Sequence, residues 1–251
     1  MNPLLTDKTA FVTGAGGGIG RATALSLAAE GARVTVTDIN ADAAAETAAM
    51  IEAAGGTAFA AALDVTDAAA CTAVIADHVA RWGGLDCAFN NAGVSLEGMQ
   101  TAWGDTAAFQ RSFDINVTGV LNCMVAELAH MAAAKSGAIV NTASIAGLSG
   151  AGGPGYCGSK HAVVGLTKSA AIRYAPVGVR VNCVCPGAIV TPMTDAVARD
   201  PQGAAYMAQM HPLGRMGEAQ EVADAVVFLL SSRASFITGH PLAVDGGFMA
   251  R

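Results

Sequence analysis

Tyr156 and Lys160 stand four residues apart, and Ser144 lies twelve residues before the tyrosine. On a helix, side chains four apart share one face, so the phenol and the ammonium can approach one reaction centre. An isolated phenol titrates near pH ~10, too high to accept a proton at neutral pH. A neighbouring cation favours the phenolate and lowers that value, which turns the tyrosine into a usable acid and base. Hydride leaves a carbinol carbon only as its O–H proton is removed, so alcohol oxidation needs such a group poised near pH ~7. A serine hydroxyl can bond the same oxygen as alcohol or as carbonyl. Taken alone, each residue has a plainer reading. Tyrosine and lysine at this spacing also describe a solvated helix face, Ser144 a loop hydroxyl, and Asn116 a buried helix amide with its hydrogen bonds satisfied.

A nucleotide-binding pattern upstream changes that balance. Thr13-Gly14-Ala15-Gly16-Gly17-Gly18-Ile19-Gly20 follows an apolar run and leads into a helical stretch. Glycines let the main chain approach a pyrophosphate and make the tight strand-to-helix turn, while the helix N-terminus offers free N–H groups to the phosphates. The spacing is GxxxGxG, not the GxGxxG of many dinucleotide folds, and a plain tight turn would also use these glycines. Asp38 follows Gly20 by eighteen residues, at the end of the second apolar run. A carboxylate there accepts both hydroxyls of an adenosine ribose and repels a 2′-phosphate, which predicts NAD(H) over NADP(H). Neither Gly17 nor Ile39 supplies the basic side chain that a 2′-phosphate would want. Asp38 or Asn40 could instead cap the next helix. Asp64-Val65 and Asn90-Asn91-Ala92-Gly93 follow the third and fourth runs, at the strand edge where open α/β sheets bind ligands, though each also suits a turn.

The elements that must position these groups are strands over Thr9–Thr13, Arg33–Thr37, Thr57–Leu63, Leu85–Asn90, Ala138–Thr142, Arg180–Cys185 and Pro241–Val244. Helices are expected near 19–30, 41–54, 67–82, 106–134, 155–175 and 219–231. Near-continuous apolar strands alternating with helices predict an α/β fold, one doubly wound, Rossmann-like parallel sheet with helices on both faces. No repeat or Pro/Ser-rich linker divides residues 1–251, so a single unit is expected. Residues 187–218 break the rhythm with Pro192, Pro201 and Pro212 and with Met193, Met207, Met210 and Met216, and no strand is expected there. A helical flap over an apolar substrate fits this segment, as does ordinary core filling, because methionine adapts to irregular surfaces.

Composition excludes some partners. The 251 residues are 53% hydrophobic and 14% charged, with a net charge of −6 and no run of Lys/Arg. That argues against nucleic acid or an anionic membrane as partner. Asn122, Glu127 and His130 interrupt the stretch from Leu121 to Ala134 before it reaches spanning length. Residues Met1 to Asp7 lack a signal-peptide layout, so a cytoplasmic location is expected. The six cysteines contain no CxxC, and the five histidines show no metal-ligand spacing; reduced core thiols and no metal are expected.

The chain resembles the short-chain dehydrogenase/reductase family. The matching elements are Thr13-Gly14-x-x-x-Gly18-Ile19-Gly20, Asp64, Asn90-Asn91-Ala92-Gly93, Asn116, Ser144, Tyr156-x-x-x-Lys160, Pro186-Gly187 and Asp245-Gly246-Gly247, in the family's order across essentially the whole chain. The resemblance implies that Tyr156 exchanges the proton with the substrate oxygen and that Ser144 orients that oxygen. It implies that Lys160 binds the nicotinamide ribose and lowers the Tyr156 pKa, and that Asn116 holds a water of a proton relay. Asp64 with Val65 would sit beside adenine, Asn90, Ala92 and Gly93 would line the cofactor channel, and Thr191 would meet the carboxamide. The resemblance also implies a homotetramer, pairing the helices at 106–134 and 155–175; Gly155, Gly158, Ala162 and Gly165 are small enough for close packing there, though small residues equally suit contacts within the chain. His161 reads as surface or subunit contact.

The activity expected is NAD-dependent interconversion of a secondary alcohol and a ketone. An acyl-carrier-protein ketoreductase shares most of these motifs but generally uses NADPH and a basic patch, which Asp38 and the acidic balance oppose. A non-catalytic NAD-binding scaffold is opposed by the intact Asn116, Ser144, Tyr156 and Lys160 set. Val94, Ser95, Leu96, Gly150–Gly153 and Met193 should border a pocket for an uncharged, cyclic or aliphatic substrate, while Arg199 and Arg215 remain open as carboxylate partners.

Overall fold

The computed structural model describes residues 3–97 and 103–251. Seven parallel strands form the central sheet: β1 (Thr9–Val12), β2 (Arg33–Asp38), β3 (Thr57–Ala62), β4 (Cys87–Asn90), β5 (Gly137–Thr142), β6 (Val179–Pro186) and, near the C-terminus, β9 (Pro241–Val244). Their order is β3-β2-β1-β4-β5-β6-β9, so the winding reverses between β1 and β4. Ligands of open α/β sheets bind at that reversal, outside the carboxyl ends of the strands. The expected α/β class and parallel doubly wound sheet are therefore what the chain forms, with strand ends shifted by one or two residues.

Helices cover both faces. Leu27 of α1 (Gly18–Ala29), Ile51 of α2 (Ala41–Ala53) and Val226 of α9 (Ala219–Leu230) pack on one side with Val12, Val34 and Val140. Ile75 of α3 (Ala68–Trp82), Met131 of α5 (Val120–Ala134) and Val163 of α6 (Pro154–Tyr174) pack on the other with Phe11, Ile139 and Val181. A strand buried on both faces needs apolar side chains at successive positions, which explains unbroken runs such as Ala10-Phe11-Val12.

Two departures from the sequence expectation bear on the site. The expected helix over 106–134 is α4 (Thr106–Phe113), a π-helical turn over Asp114–Gly119, and α5. The π-turn carries Asn116, and such turns recur at functional positions. By length and composition Thr106–Ala134 could cross a bilayer. It instead packs against α3 and α6 in the core, and it buries Asn116 and Glu127. Second, the 187–218 segment does contain strands. β7 (Ile189–Val190) pairs in parallel with β8 (Gly217–Glu218), bracketing α7 (Asp195–Arg199) and α8 (Pro201–Gln209). Two residues are too few to display a period of two, so no pattern marks them.

Candidate active site

The strand-to-helix loop after β1 is shaped for close approach. Gly14 and Gly18 adopt φ of +60° and +52°, where a side chain would be strained. A Cβ on Gly20 would collide with the Gly14 carbonyl oxygen, so the third glycine lets α1 lie directly on the turn. Gly17 caps α1 without any side-chain hydrogen bond, and the first turn holds no acidic residue. The helix N-terminus thus keeps its N–H groups and partial positive charge for an anion. That is the seat a dinucleotide pyrophosphate requires, and the residues present fit it.

Asp38 closes the next strand beside this loop. Its Oδ2 accepts the Gly16 N–H at 2.9 Å and its Oδ1 the Asn40 N–H at 2.9 Å. The cap of α2 is Asn40, whose side chain accepts from Asp42 and Ala43. Asp38 is therefore free of the capping role and borders the same cavity as the glycine loop.

That cavity measures about 340 Å³ and brings together Gly14, Gly18, Ile19, Asp38, Ala92, Gly93, Ser144, Tyr156, Lys160, Pro186, Gly187 and Thr191. A larger cavity of about 700 Å³ opens at the opposite, amino edge of the sheet near Lys8, Asp86 and Arg180. Lys8 is ion-paired to Asp86 and Arg180 donates to main-chain carbonyls of residues 229, 230, 231 and 237, so both cations there are already engaged. Size alone misleads here; the smaller cavity is the one that gathers the expected residues.

Ser144, Lys160 and Tyr156 have distinct supports. Ser144, two residues past β5, accepts the Ala146 N–H at 3.1 Å and lines the cavity beside Tyr156. Lys160 is buried and donates to the Thr142 carbonyl at 2.9 Å; its Nζ lies 5.6 Å from the centre of the Tyr156 ring. Burial lowers the Lys160 pKa to about 8, with Cys185 and Cys183 acting weakly the other way. Burial also raises the Tyr156 pKa, and the nearby Ser144 hydroxyl pulls against it. The sequence expectation was a phenol pulled down by lysine. In the protein alone desolvation wins, because the ammonium is itself desolvated and its hydrogen bond goes to Thr142.

Several expected residues lie elsewhere. Asn116 is fully buried, with Oδ1 accepting from the Val94 N–H and Nδ2 donating to the Val94 carbonyl and to Ser159 Oγ. Both amide hydrogens are spent on protein, so only an Oδ1 lone pair is left for a water; the amide braces the Gly93–Val94 main chain beside Lys160. The Asn90 side chain does not face the cavity: it turns into the core, donating to Glu127 Oε2 at 2.9 Å and Asn141 Oδ1 at 3.0 Å. Asp64 is exposed, with its carboxylate held by the Thr66 N–H and hydroxyl, which lowers its pKa. Gly20, Asp64 and Val65 are absent from the cavity wall, whereas Asn91 is on it, bonded to the Thr13 and Gly14 carbonyls.

The substrate side differs in the same manner. Of the four flap methionines only Met193 reaches the cavity, together with Ile189 and Pro192. Val94, Ser95, Leu96 and Gly150–Gly153 do not line it, although Gly152 sits against the Tyr156 ring. Arg199 pairs with Asp195 and Arg215 with Glu221, so neither is free for a carboxylate. Glu97 was not foreseen at all. Its two oxygens accept the Gly155 and Tyr156 N–H groups at 2.9 and 2.8 Å, capping α6 from a loop 58 residues upstream. Among the described residues, no cluster of three His, Cys, Asp or Glu could hold a metal.

Comparison with known proteins agrees with this geometry. A family profile described as Enoyl-(Acyl carrier protein) reductase matches residues 14–249. The 2,5-dichloro-2,5-cyclohexadiene-1,4-diol dehydrogenase of Sphingobium indicum is 47% identical over 249 residues, covering 98% of each chain. Cyclohexanol dehydrogenase of an Acinetobacter species is 43% identical, covering all of this chain and 98% of its own. The crystal structure of levodione reductase superposes with a TM-score of 0.93 at 37% identity, covering 98% of this chain and 99% of that one. The chain belongs to the short-chain dehydrogenase/reductase family, as an oxidoreductase acting between alcohol and ketone.

Proposed function

We propose that the chain is an NAD(H)-dependent dehydrogenase of small, uncharged cyclic secondary alcohols, working reversibly with the ketone. The observation that carries the reading is one cavity shared by Ser144, Tyr156 and Lys160 with the glycine-rich loop and Asp38. The coenzyme, when bound, accepts or supplies the hydride; the chain binds it, orients the substrate and handles the proton. Gly14, Gly18, Ile19 and Gly20 form the pyrophosphate seat. Asp38 takes the ribose hydroxyls, and its charge disfavours a 2′-phosphate. Asp64 and Val65 stand toward adenine. Asn90, through its main chain, Ala92, Gly93, Pro186, Gly187 and Thr191 form the path to the nicotinamide, and Lys160 meets its ribose.

Ser144 holds the substrate oxygen against the Tyr156 hydroxyl, and Asn116 fixes the Gly93–Val94 segment beside them. In reduction Tyr156 gives its proton to the forming alkoxide oxygen; in oxidation it takes the alcohol proton. Its raised pKa keeps the free site in the acid form, so oxidation accelerates as pH rises and reduction slows over the same range. Ile189, Pro192 and Met193 present an apolar wall, and the paired flap arginines leave no cation for an acidic substrate. Relatives named for cyclohexanol and a cyclohexadiene diol support a ring of that size. The whole chain works as one unit, with 187–218 covering the substrate. A cytoplasmic tetramer fits six free thiols and the exposed apolar positions on α5 and α6.

Rates of NADH formation with cyclic and linear secondary alcohols test the proposal. Cyclohexanol-like substrates should be oxidised fastest, with NAD preferred at least tenfold over NADP; a clear NADP preference would overturn the role given to Asp38. Tyr156→Phe should lose nearly all turnover while still binding NADH, and retention of half the activity would assign the proton to another group.

A further inference from the structure

His211 lies within the flap, just after α8, and is 3% exposed. Its ring nitrogens have partners of opposite kind. Nε2 lies 3.1 Å from the Ala188 N–H, and Nδ1 lies 2.5 Å from the Asp245 carbonyl oxygen. A main-chain N–H only donates and a carbonyl only accepts, so the two partners together fix the neutral imidazole with its hydrogen on Nδ1. Ala188 lies between Gly187 and Ile189, both on the wall of the cavity. The imidazole is thus wedged behind that wall, where a Cβ on Gly187 would strike its Cε1. Around it the chain closes three times: Gly187 N–H to the Val244 carbonyl, Leu213 N–H to the Gly246 carbonyl, and Gly217 N–H to the Ala188 carbonyl.

We propose that His211 is a positioning residue, a neutral latch that ties the flap and the C-terminal turn to the Pro186-Gly187-Ala188 wall and sets that wall for the nicotinamide end of the coenzyme. The charged groups near the ring are engaged elsewhere. The Asp245 carboxylate is turned into its own loop, accepting from Gly247 and Met249. Arg215, on the following loop, is paired with Glu221 of α9, and Arg251 donates to the Gln209 carbonyl. The remaining neighbour, Phe248, packs its ring 5.8 Å from the imidazole centre and is apolar.

The inference rests on the reading that the cavity takes a nicotinamide dinucleotide, and its test separates the two. His211→Phe keeps a ring but neither hydrogen bond, and should bind NADH, followed by fluorescence, about tenfold more weakly than wild type, with KM for the coenzyme rising more than kcat falls. His211→Gln keeps an acceptor for Ala188 and should recover most of the affinity. Hydrogen exchange at the Ala188 amide, read without coenzyme, should accelerate in His211→Phe and return toward the wild-type rate in His211→Gln. Unchanged NADH affinity in His211→Phe would overturn the latch and leave the dehydrogenase reading standing. If no dinucleotide binds, that reading falls, and the Ala188 exchange rates alone then uphold or overturn the latch.

Discussion

The group most sharply set by its surroundings is Glu127, which sits fully buried on α5 beneath the sheet. Asn90 donates to its Oε2 while its Oε1 and the Asn90 Oδ1 lack partners. Asn141 extends the ladder to Thr167 of α6 at 3.0 Å. Burial pushes the Glu127 carboxyl up to about 8, opposed only in part by the Asn90 hydrogen bond. The folded protein therefore favours the protonated form relative to an unfolded carboxyl near 4.5. A raised acid pKa contributes stability that is complete below the unfolded value and is lost as pH rises through the folded one. The loss amounts to at most ~5 kcal/mol between those limits. Glu127→Gln, neutral at every pH and able to donate to Asn90 Oδ1, should raise Tm at pH 9 and match wild type near pH 5. Parallel Tm–pH curves for the two proteins would show that the carboxyl is already ionised in the fold. The same residues explain what the sequence hid. Tyr156, Lys160 and the glycine loop are local patterns, and their shared cavity follows from spacing. The inward turn of Asn90 depends on a carboxylate 37 residues away.

At the scale of elements, α6, the helix that carries Tyr156 and Lys160, is fixed from outside itself. Gly153 caps α6 without a side chain, and no acidic residue lies in the first turn. Glu97 supplies the missing carboxylate across space, with Gly153 and Gly155 leaving room for it. One of its two hydrogen bonds holds the main-chain N–H of Tyr156 itself. Glu97→Ala frees both N–H groups, at a cost typical of a lost cap, ~1 kcal/mol, or a fall in Tm of about 2–4 °C. Because the phenol then shifts against its substrate, kcat should fall about tenfold or more while NADH affinity holds. A lower Tm with unchanged kcat would limit Glu97 to stability. The elements themselves were largely legible. The seven sheet strands and the helices α1, α2, α3, α6 and α9 follow from apolar runs, alanine-rich stretches and the Asn40 cap. The π-turn at Asp114–Gly119 was not, because its residues continue the helical pattern and the inserted register is set by burying Asn116. The β7–β8 pair was not, because it joins chain segments 28 residues apart through two residues each.

For the whole molecule, the open question of assembly reduces to which small and apolar positions the single chain leaves uncovered. The small residues on α6 do not act alike. Gly155 is pressed against Phe109 and Glu97, and Gly158 against the Phe113 ring, so both serve contacts within the chain. Gly165 meets nothing within 4 Å and is exposed on the same helix as His161 and Ile172, the latter 80% exposed. On α5, Leu121 and Val125 stand one turn apart at 43% and 62% exposure. Leu121 and Val125 on α5, with Gly165 and Ile172 on α6, would gain most from covering by the same surface of another copy, which closes without leaving an open end when the contact is two-fold. Light scattering should then give about 100 kDa, four times the 25.0 kDa chain, at micromolar concentration. Val125→Asp or Gly165→Glu should reduce that mass at least to a dimer, since each would bury an unpaired charge at the centre of the contact. A wild-type mass of one chain would show that these positions stay in water, and with it the family expectation of a tetramer would fail while the site within each chain remained complete.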